Sequence, residues 1–199
     1  MEPVFFSAAD GIRLEGLFRG DENQPGAVIT HPHPLYGGTM NNYVVEAVDS
    51  ALREKGYATL RFNFRGVGRS DGRYGAGIDE AEDLKGALAY LQNRGITPAI
   101  LAGYSFGTRV CANVPADMQP AAMVMIAPPV AMMDFTDLQE LLSLKLIITG
   151  ENDELAPPGQ IRQYIARWNP EAALEIIEGE DHFFGRSIPE LKQILYRIF

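Results

Sequence analysis

The sequence predicts an α/β fold: a mostly parallel sheet with an antiparallel N-terminal hairpin and helices on both faces. Three observations carry this. Residues 4–7 and 12–19 alternate apolar and polar around Ala9-Asp10-Gly11, the pattern of a half-exposed hairpin at a sheet edge. Later apolar runs, such as Ala27-Val28-Ile29-Thr30, are short and near-continuous, as in strands buried on both faces. These runs alternate with segments of helical period, so right-handed crossovers place helices on both sides of the sheet. A chain of 199 residues is read as one domain, 1–199, long enough to bury a core.

Each element has its own warrant. Asp21-Glu22-Asn23-Gln24-Pro25 is a polar turn before the strand at 27–30. The next stretch, 31–39, carries Pro32, Pro34 and the pair Gly37-Gly38, and reads as a shaped loop. A helix then starts near Asn41 or Asn42, with Val44, Val45, Val48, Ala51 and Leu52 on one stripe and Gly56 at its end. Residues 58–63 form a strand, and 63–72 a loop punctuated by Gly66, Gly68 and Gly72. A helix opens near Asp79, with Ala81, Leu84, Ala87, Leu88 and Leu91 on one face and Gly95 beyond it. Strand 98–102 leads through a tight turn into a helix at 108–114 that Pro115 closes. Strand 121–126 stops at Pro128-Pro129, and 138–142 makes at most a short helix. Strand 144–149 ends at Gly150. The following helix aligns Ile161, Tyr164, Ile165 and Trp168 and breaks at Pro170. The last strand is 174–177, and Ile188, Leu191, Ile194 and Ile198 mark a terminal helix.

The tight turn is Gly103-Tyr104-Ser105-Phe106-Gly107, a G-x-S-x-G between a strand and a helix. Such a turn strains the serine backbone and pushes its hydroxyl out at the carboxyl end of the sheet, where ligands bind in open α/β sheets. The next N–H, from Phe106, lies in the first helical turn and points where an oxyanion would form. Two further loops share that edge: Gly150-Glu151-Asn152-Asp153-Glu154, and 178–185 with His182. The order serine, acid, histidine suits nucleophilic catalysis. Neutral His182 would take the Ser105 proton and return it to the leaving group, and an acid would hold the ring and stabilise the imidazolium. Glu151, Asp153 and Glu154 compete for that last role, with Asp134 a distant reserve. A second oxyanion donor is expected from the His33–Leu35 stretch; Pro34 has no N–H, which leaves His33 and Leu35. His31 is read as structural within its loop, Ser70 as a turn residue and Cys111 as a small buried hydrophobe.

Composition narrows the function classes. The net charge of −9, with no basic stripe, argues against nucleic acid as a partner. The N-terminal stretch lacks the basic and apolar regions of a signal peptide, and no run is long enough to span a bilayer. A single cysteine leaves no internal disulfide and suits a reducing, cytoplasmic setting. His31, His33 and His182 are the only histidines. With no His-Glu-x-x-His pattern and no further ligands near His-x-His, the expectation is no metal and no cofactor.

Together these residues resemble the α/β-hydrolase superfamily, and within it the small lidless esterase-like hydrolases that carry a motif like His31-Pro32-His33-Pro34-Leu35-Tyr36-Gly37-Gly38. The resemblance covers essentially the whole chain. It implies Ser105 as nucleophile, Asp153 of Gly150-Glu151-Asn152-Asp153 as acid, and His182 of Asp181-His182-Phe183-Phe184 as base. Phe106 with His33 or Leu35 would be the oxyanion donors, and Arg65-Gly66-Val67-Gly68-Arg69-Ser70 matches a structural turn. The family's usual His-Gly after this strand is His31-Pro32 here. Many relatives insert a helical lid after the strand that follows the helix opening at Ser105; the stretch between Ile126 and Leu144 is too short for one. An open cleft is therefore expected, with Leu35, Tyr36, Met40, Met132, Met133, Phe135, Phe183 and Phe184 as apolar lining. The implied activity is hydrolysis of small carboxylic esters or thioesters, with a small acyl compound as substrate. A serine peptidase, amidase or acyltransferase on the same residues, and a binding module without catalysis, are the alternatives. Whether two copies pair as a homodimer is left open by the sequence.

Overall fold

The computed structural model describes residues 2–118 and 120–198. At one edge, β1 (Glu2–Ser7) and β2 (Arg13–Arg19) form the antiparallel hairpin, with Val4, Phe6, Leu14 and Phe18 turned inward on the expected period of two. β2 pairs antiparallel with β4 (Ala58–Phe62), and from β4 onward every pairing is parallel. The remaining strands are β3 (Gly26–Thr30), β5 (Pro98–Tyr104), β6 (Ala122–Ile126), β7 (Leu144–Gly150) and β8 (Ala173–Ile177). Their order across the eight-stranded sheet is β1-β2-β4-β3-β5-β6-β7-β8. Every residue of β3 and β4 is buried; β3 reads as a near-continuous apolar run for that reason, whereas in β4 the buried Thr59 and Arg61 are satisfied by Asp49 and the Met40 carbonyl.

The helices are α1 (Tyr43–Glu54), α2 (Glu80–Asn93), α3 (Phe106–Ala112), α4 (Pro158–Trp168) and α5 (Ile188–Ile198). Asn42, one of the two expected caps, accepts the Val44 N–H at 2.9 Å, a bond that stabilises such a helix by about 1 kcal/mol. All five residues of the predicted α1 stripe are buried, and each valine or leucine among them contributes about 1.5–3 kcal/mol. No short helix forms at 138–142, which runs as turn and extended chain with Leu138 and Leu141 in the core. The helix after the tight turn begins at Phe106, earlier than the sequence indicated, because its first turn is part of the turn itself.

The winding positions the site. From β3 the chain crosses by α1 to β4 on one side, then by α2 to β5 on the other side of β3. Right-handed crossovers in opposite directions put α1 and α2 on opposite faces. Accordingly α1 packs against α5, and α2 against α3. The carboxyl ends of the neighbours β3 and β5 flank the point where the winding reverses, the place where such sheets open a crevice.

Candidate active site

Ser105 follows β5 at that crevice, with φ 52° and ψ −121°. This lies outside the small left-handed region that L residues tolerate. The turn is held by close packing. A Cβ on Gly103 would come within 2.7 Å of Gly107 C and Thr108 N, and one on Gly107 within 2.9 Å of the His31 carbonyl oxygen. Only glycine lets α3 press so closely on β3 and β5.

His182 Nε2 stands 2.9 Å from Ser105 Oγ, and His182 Nδ1 stands 2.9 and 3.0 Å from the two Asp153 oxygens. All three residues are buried, Ser105 and Asp153 to 5% and 2% exposure. Asp153 Oδ1 also accepts the N–H groups of Leu155 at 2.9 Å and Ala156 at 2.7 Å, so the loop fixes the carboxylate before His182 meets it. Two loops bring acid and imidazole together: Asn152 N–H donates to the Glu180 carbonyl at 2.8 Å, and Gly179 N–H to Glu151 Oε2 at 2.9 Å. The Tyr104 hydroxyl donates to the His182 carbonyl at 3.0 Å while its ring stacks beside the imidazole. Burial, first of all, pushes the Tyr104 hydroxyl well above the ordinary phenol range, so it stays a donor.

The other acids stand apart. Glu151 accepts from Gly179, Glu154 is exposed, and Asp134 accepts the Thr136 N–H and hydroxyl on a surface turn. The hydroxyl and N–H of Thr136 hold the Asp134 carboxyl below its usual value.

The backbone N–H groups of Phe106 and His33 meet no acceptor among the described residues. The Leu35 N–H does: it donates to His33 Nδ1 at 3.2 Å. The loop carrying His33 is anchored from β4 and the residues after it. Phe64 N–H donates to His31 Nε2 at 3.0 Å, Asn63 Oδ1 accepts Met40 N–H at 2.7 Å, and Arg61 donates to the Met40 carbonyl at 2.6 Å. His31 Nδ1 donates to the Pro32 carbonyl at 2.6 Å. Burial lowers the pKa of His31 to about 4, so the ring is neutral, as its accepting Nε2 requires. Both nitrogens of His31 and both of His33 are thus engaged, and no group of three or more His, Cys, Asp or Glu among the described residues is arranged to hold a metal. Cys111 is fully buried and its thiol is pushed up to about 12 by that burial; Ser70 bonds the Asn63 carbonyl and the Glu15 N–H, as a turn residue does.

Ser105 opens onto a cavity of about 290 Å³ lined by Pro32, His33, Tyr36, Gly37, Gly38, Asn42, Tyr104, Met132, Leu155, His182 and Phe183. Of the eight expected lining residues, Tyr36, Met132 and Phe183 are there. Leu35 is exposed outside the lining, Met133 is half-buried against the core, and Met40, Phe135 and Phe184 are buried in the body of the protein. Phe135 packs on Trp168, and Phe184 on Tyr104. Sequence reasoning missed Tyr104, Asn42 and Leu155. The Asp153-x-Leu155-Ala156 turn had a usable signal, an aspartate ahead of two free N–H groups. A larger groove of about 480 Å³ between α1 and α5 contains none of the residues that converge on Ser105.

Comparison with known proteins identifies the fold. Residues 28–190 match the model of the alpha/beta hydrolase domain. The chain belongs to the α/β-hydrolase family. As an α/β hydrolase it is similar over 98% of its length to a structure of an alpha-beta serine hydrolase homologue from Coxiella burnetii, of which it covers 96%, at 38% identity and a TM-score of 0.89. A serine hydrolase without lid from Xanthomonas campestris is 31% identical over 98% of this chain and 92% of its own, with a TM-score of 0.88. An uncharacterized Rickettsia prowazekii protein is 32% identical over 98% of this chain and 87% of its own length. As in the lidless relative, no lid is inserted here: residues 127–143 contain neither helix nor strand. No helix among the described residues is long and apolar enough to cross a membrane.

Proposed function

We propose that this α/β hydrolase cleaves small carboxylic esters or thioesters through an acyl-Ser105 intermediate. The observation that carries the reading is the hydrogen-bonded chain from Ser105 Oγ through His182 to Asp153, on a strained turn at the switch point of the sheet. In the first half-reaction Ser105 Oγ attacks the acyl carbon as its proton passes to His182 Nε2. Asp153 accepts the Nδ1–H bond and stabilises the imidazolium, which then protonates the leaving alkoxide or thiolate. In the second half-reaction His182 takes a proton from water as the hydroxide so formed attacks the acyl carbon, and it then gives that proton to Ser105 Oγ as the acid leaves.

The oxyanion is received by the N–H groups of Phe106 and His33. Leu35 is set aside because its N–H is already donated to His33 Nδ1. A cavity of about 290 Å³, whose apolar lining is limited to a few side chains such as Tyr36, Met132, Leu155 and Phe183, offers little area to a long chain, so short acyl groups are the substrates.

A fluorophosphonate probe on wild type and on Ser105→Ala, beside a p-nitrophenyl ester series from acetate to dodecanoate, tests this. Labelling of wild type alone and a rate maximum at short chains are expected. Equal labelling of the mutant, or faster cleavage of aminoacyl anilides than of any ester, would sink the assignment.

A further inference from the structure

Tyr74 lies in the loop before α2, far in sequence from every residue named in the reaction, yet it touches both proposed oxyanion donors. Because Leu35 N–H donates to His33 Nδ1, that nitrogen carries the lone pair and the proton of the neutral ring is on Nε2. His33 Nε2–H therefore donates to the Tyr74 hydroxyl, 3.1 Å away. The Tyr74 ring packs 5.9 Å from Phe106, and the His33 ring 5.0 Å from the same side chain. Tyr74 is itself held from below. Fully buried Glu80 accepts the N–H groups of Gly75 at 2.8 Å and Gly77 at 2.7 Å. Asn113, just after α3, donates to the Gly77 carbonyl at 3.2 Å.

We propose that Tyr74 is a positioning residue for the oxyanion hole: it fixes His33 through its hydroxyl and Phe106 through its ring, and so sets the spacing of their two N–H groups. The inference rests on the serine-hydrolase reading above. Phe106 needs little help, since it begins a helix in the core. His33 stands between Pro32 and Pro34; its carbonyl accepts the Tyr36 and Gly38 N–H groups at 3.1 and 3.0 Å, and its ring adds a second hold from the Tyr74 side. Oxyanion donors act only when placed within about 2.7–3.1 Å of the charge that develops, and the ground-state carbonyl demands less of them. Loosening His33 should therefore lower kcat and leave substrate binding largely intact.

The test compares Tyr74→Phe and Tyr74→Leu with wild type in the full chain. Active sites are counted by fluorophosphonate titration, and the measurements are p-nitrophenyl butyrate kinetics and inhibition by a trifluoromethyl ketone, whose adduct carries an oxyanion. Removal of one neutral hydrogen bond should reduce kcat per titrated site of Tyr74→Phe by about 3–10-fold, with KM within about twofold. Ketone affinity should fall by the same factor, and Tyr74→Leu, which also loses the ring contact, should lose more of both. Unchanged kcat and ketone affinity in an active Tyr74→Phe would overturn the inference alone, as would a loss confined to KM. A wild type that neither labels nor turns over would overturn the serine-hydrolase reading and this inference with it.

Discussion

Replacing Ser105 by glycine should leave a more stable protein than replacing it by alanine, the reverse of the usual order. Both variants lose the hydroxyl and its bond to His182, so the difference between them isolates the backbone. At φ 52° and ψ −121° a Cβ is strained by about 1–3 kcal/mol, toward the upper end because the position lies outside the left-handed well open to L residues. Against this, glycine adds unfolded-state entropy of about 0.5–1 kcal/mol. The alanine methyl would face the open cleft, so its contacts add only a few tenths. The balance favours Ser105→Gly by about 1 kcal/mol, which for a domain of this size is roughly 2–4 °C in Tm. Urea and thermal unfolding of the two variants at the same pH measure it directly. If Ser105→Ala is equally or more stable, the turn at Ser105 is not strained.

Other consequences can be measured on the same protein. Asp153→Asn keeps an oxygen for Leu155 and Ala156 but loses the charge that holds the imidazolium, so kcat should fall by about 10⁴-fold with little change in Tm; Asp153→Ala should lose both activity and stability, and equal Tm in the two variants would contradict the turn role. Because folding lowers the pKa of His31 from 6.5 to about 4, the unfolded chain binds the extra proton between those values. His31 therefore contributes its full stability above pH 6.5 and loses it as pH falls toward 4, by about 3 kcal/mol in all; an NMR titration that gives His31 a pKa near 6.5 would refute this. Gly103→Ala should destabilise by about 3 kcal/mol or more, since its Cβ meets backbone atoms that cannot turn aside, and a urea midpoint within error of wild type would argue against that clash.

Much of the fold was legible because periodicity reports burial. The α1 stripe, the alternation in β1 and β2 and the unbroken runs of β3 and β6 each followed from which faces are covered. Sheet order was not legible, because the local pattern of β4 is the same whichever neighbours it has. Within the site, Gly103 and Gly107 bracket Ser105 for a steric reason that the sequence displays. The lining was harder. Phe135, Phe184, Tyr36 and Phe183 are alike as residue types; what separates them is that Trp168 and Tyr104 cover the first pair, while Tyr36 and Phe183 meet the rings of His33 and His182 on one side only and stay 78% and 60% exposed. Tyr74 gave no signal at all, because its partners His33 and Phe106 lie in the loop after β3 and at the start of α3, which only the reversed winding brings together.

The short segment that takes the place of a lid is also held down onto the body of the protein. Arg109 on α3 donates to the Asp134 carbonyl at 2.9 Å and pairs with Asp137 at 2.7 Å, while Phe135 is buried beneath it. Residues 134–137 are thereby tied to α3 rather than standing over Ser105. On the proposed reading this shifts the burden of catalysis. A cleft with few walls gains little from binding the ground state, so rate must come from groups that act on the transition state: the imidazole, its carboxylate and the two N–H donors. Substitutions of Tyr36 or Phe183 should then move KM modestly. Substitutions that disturb His33 or Phe106 should move kcat, although their side chains never meet the reacting carbon.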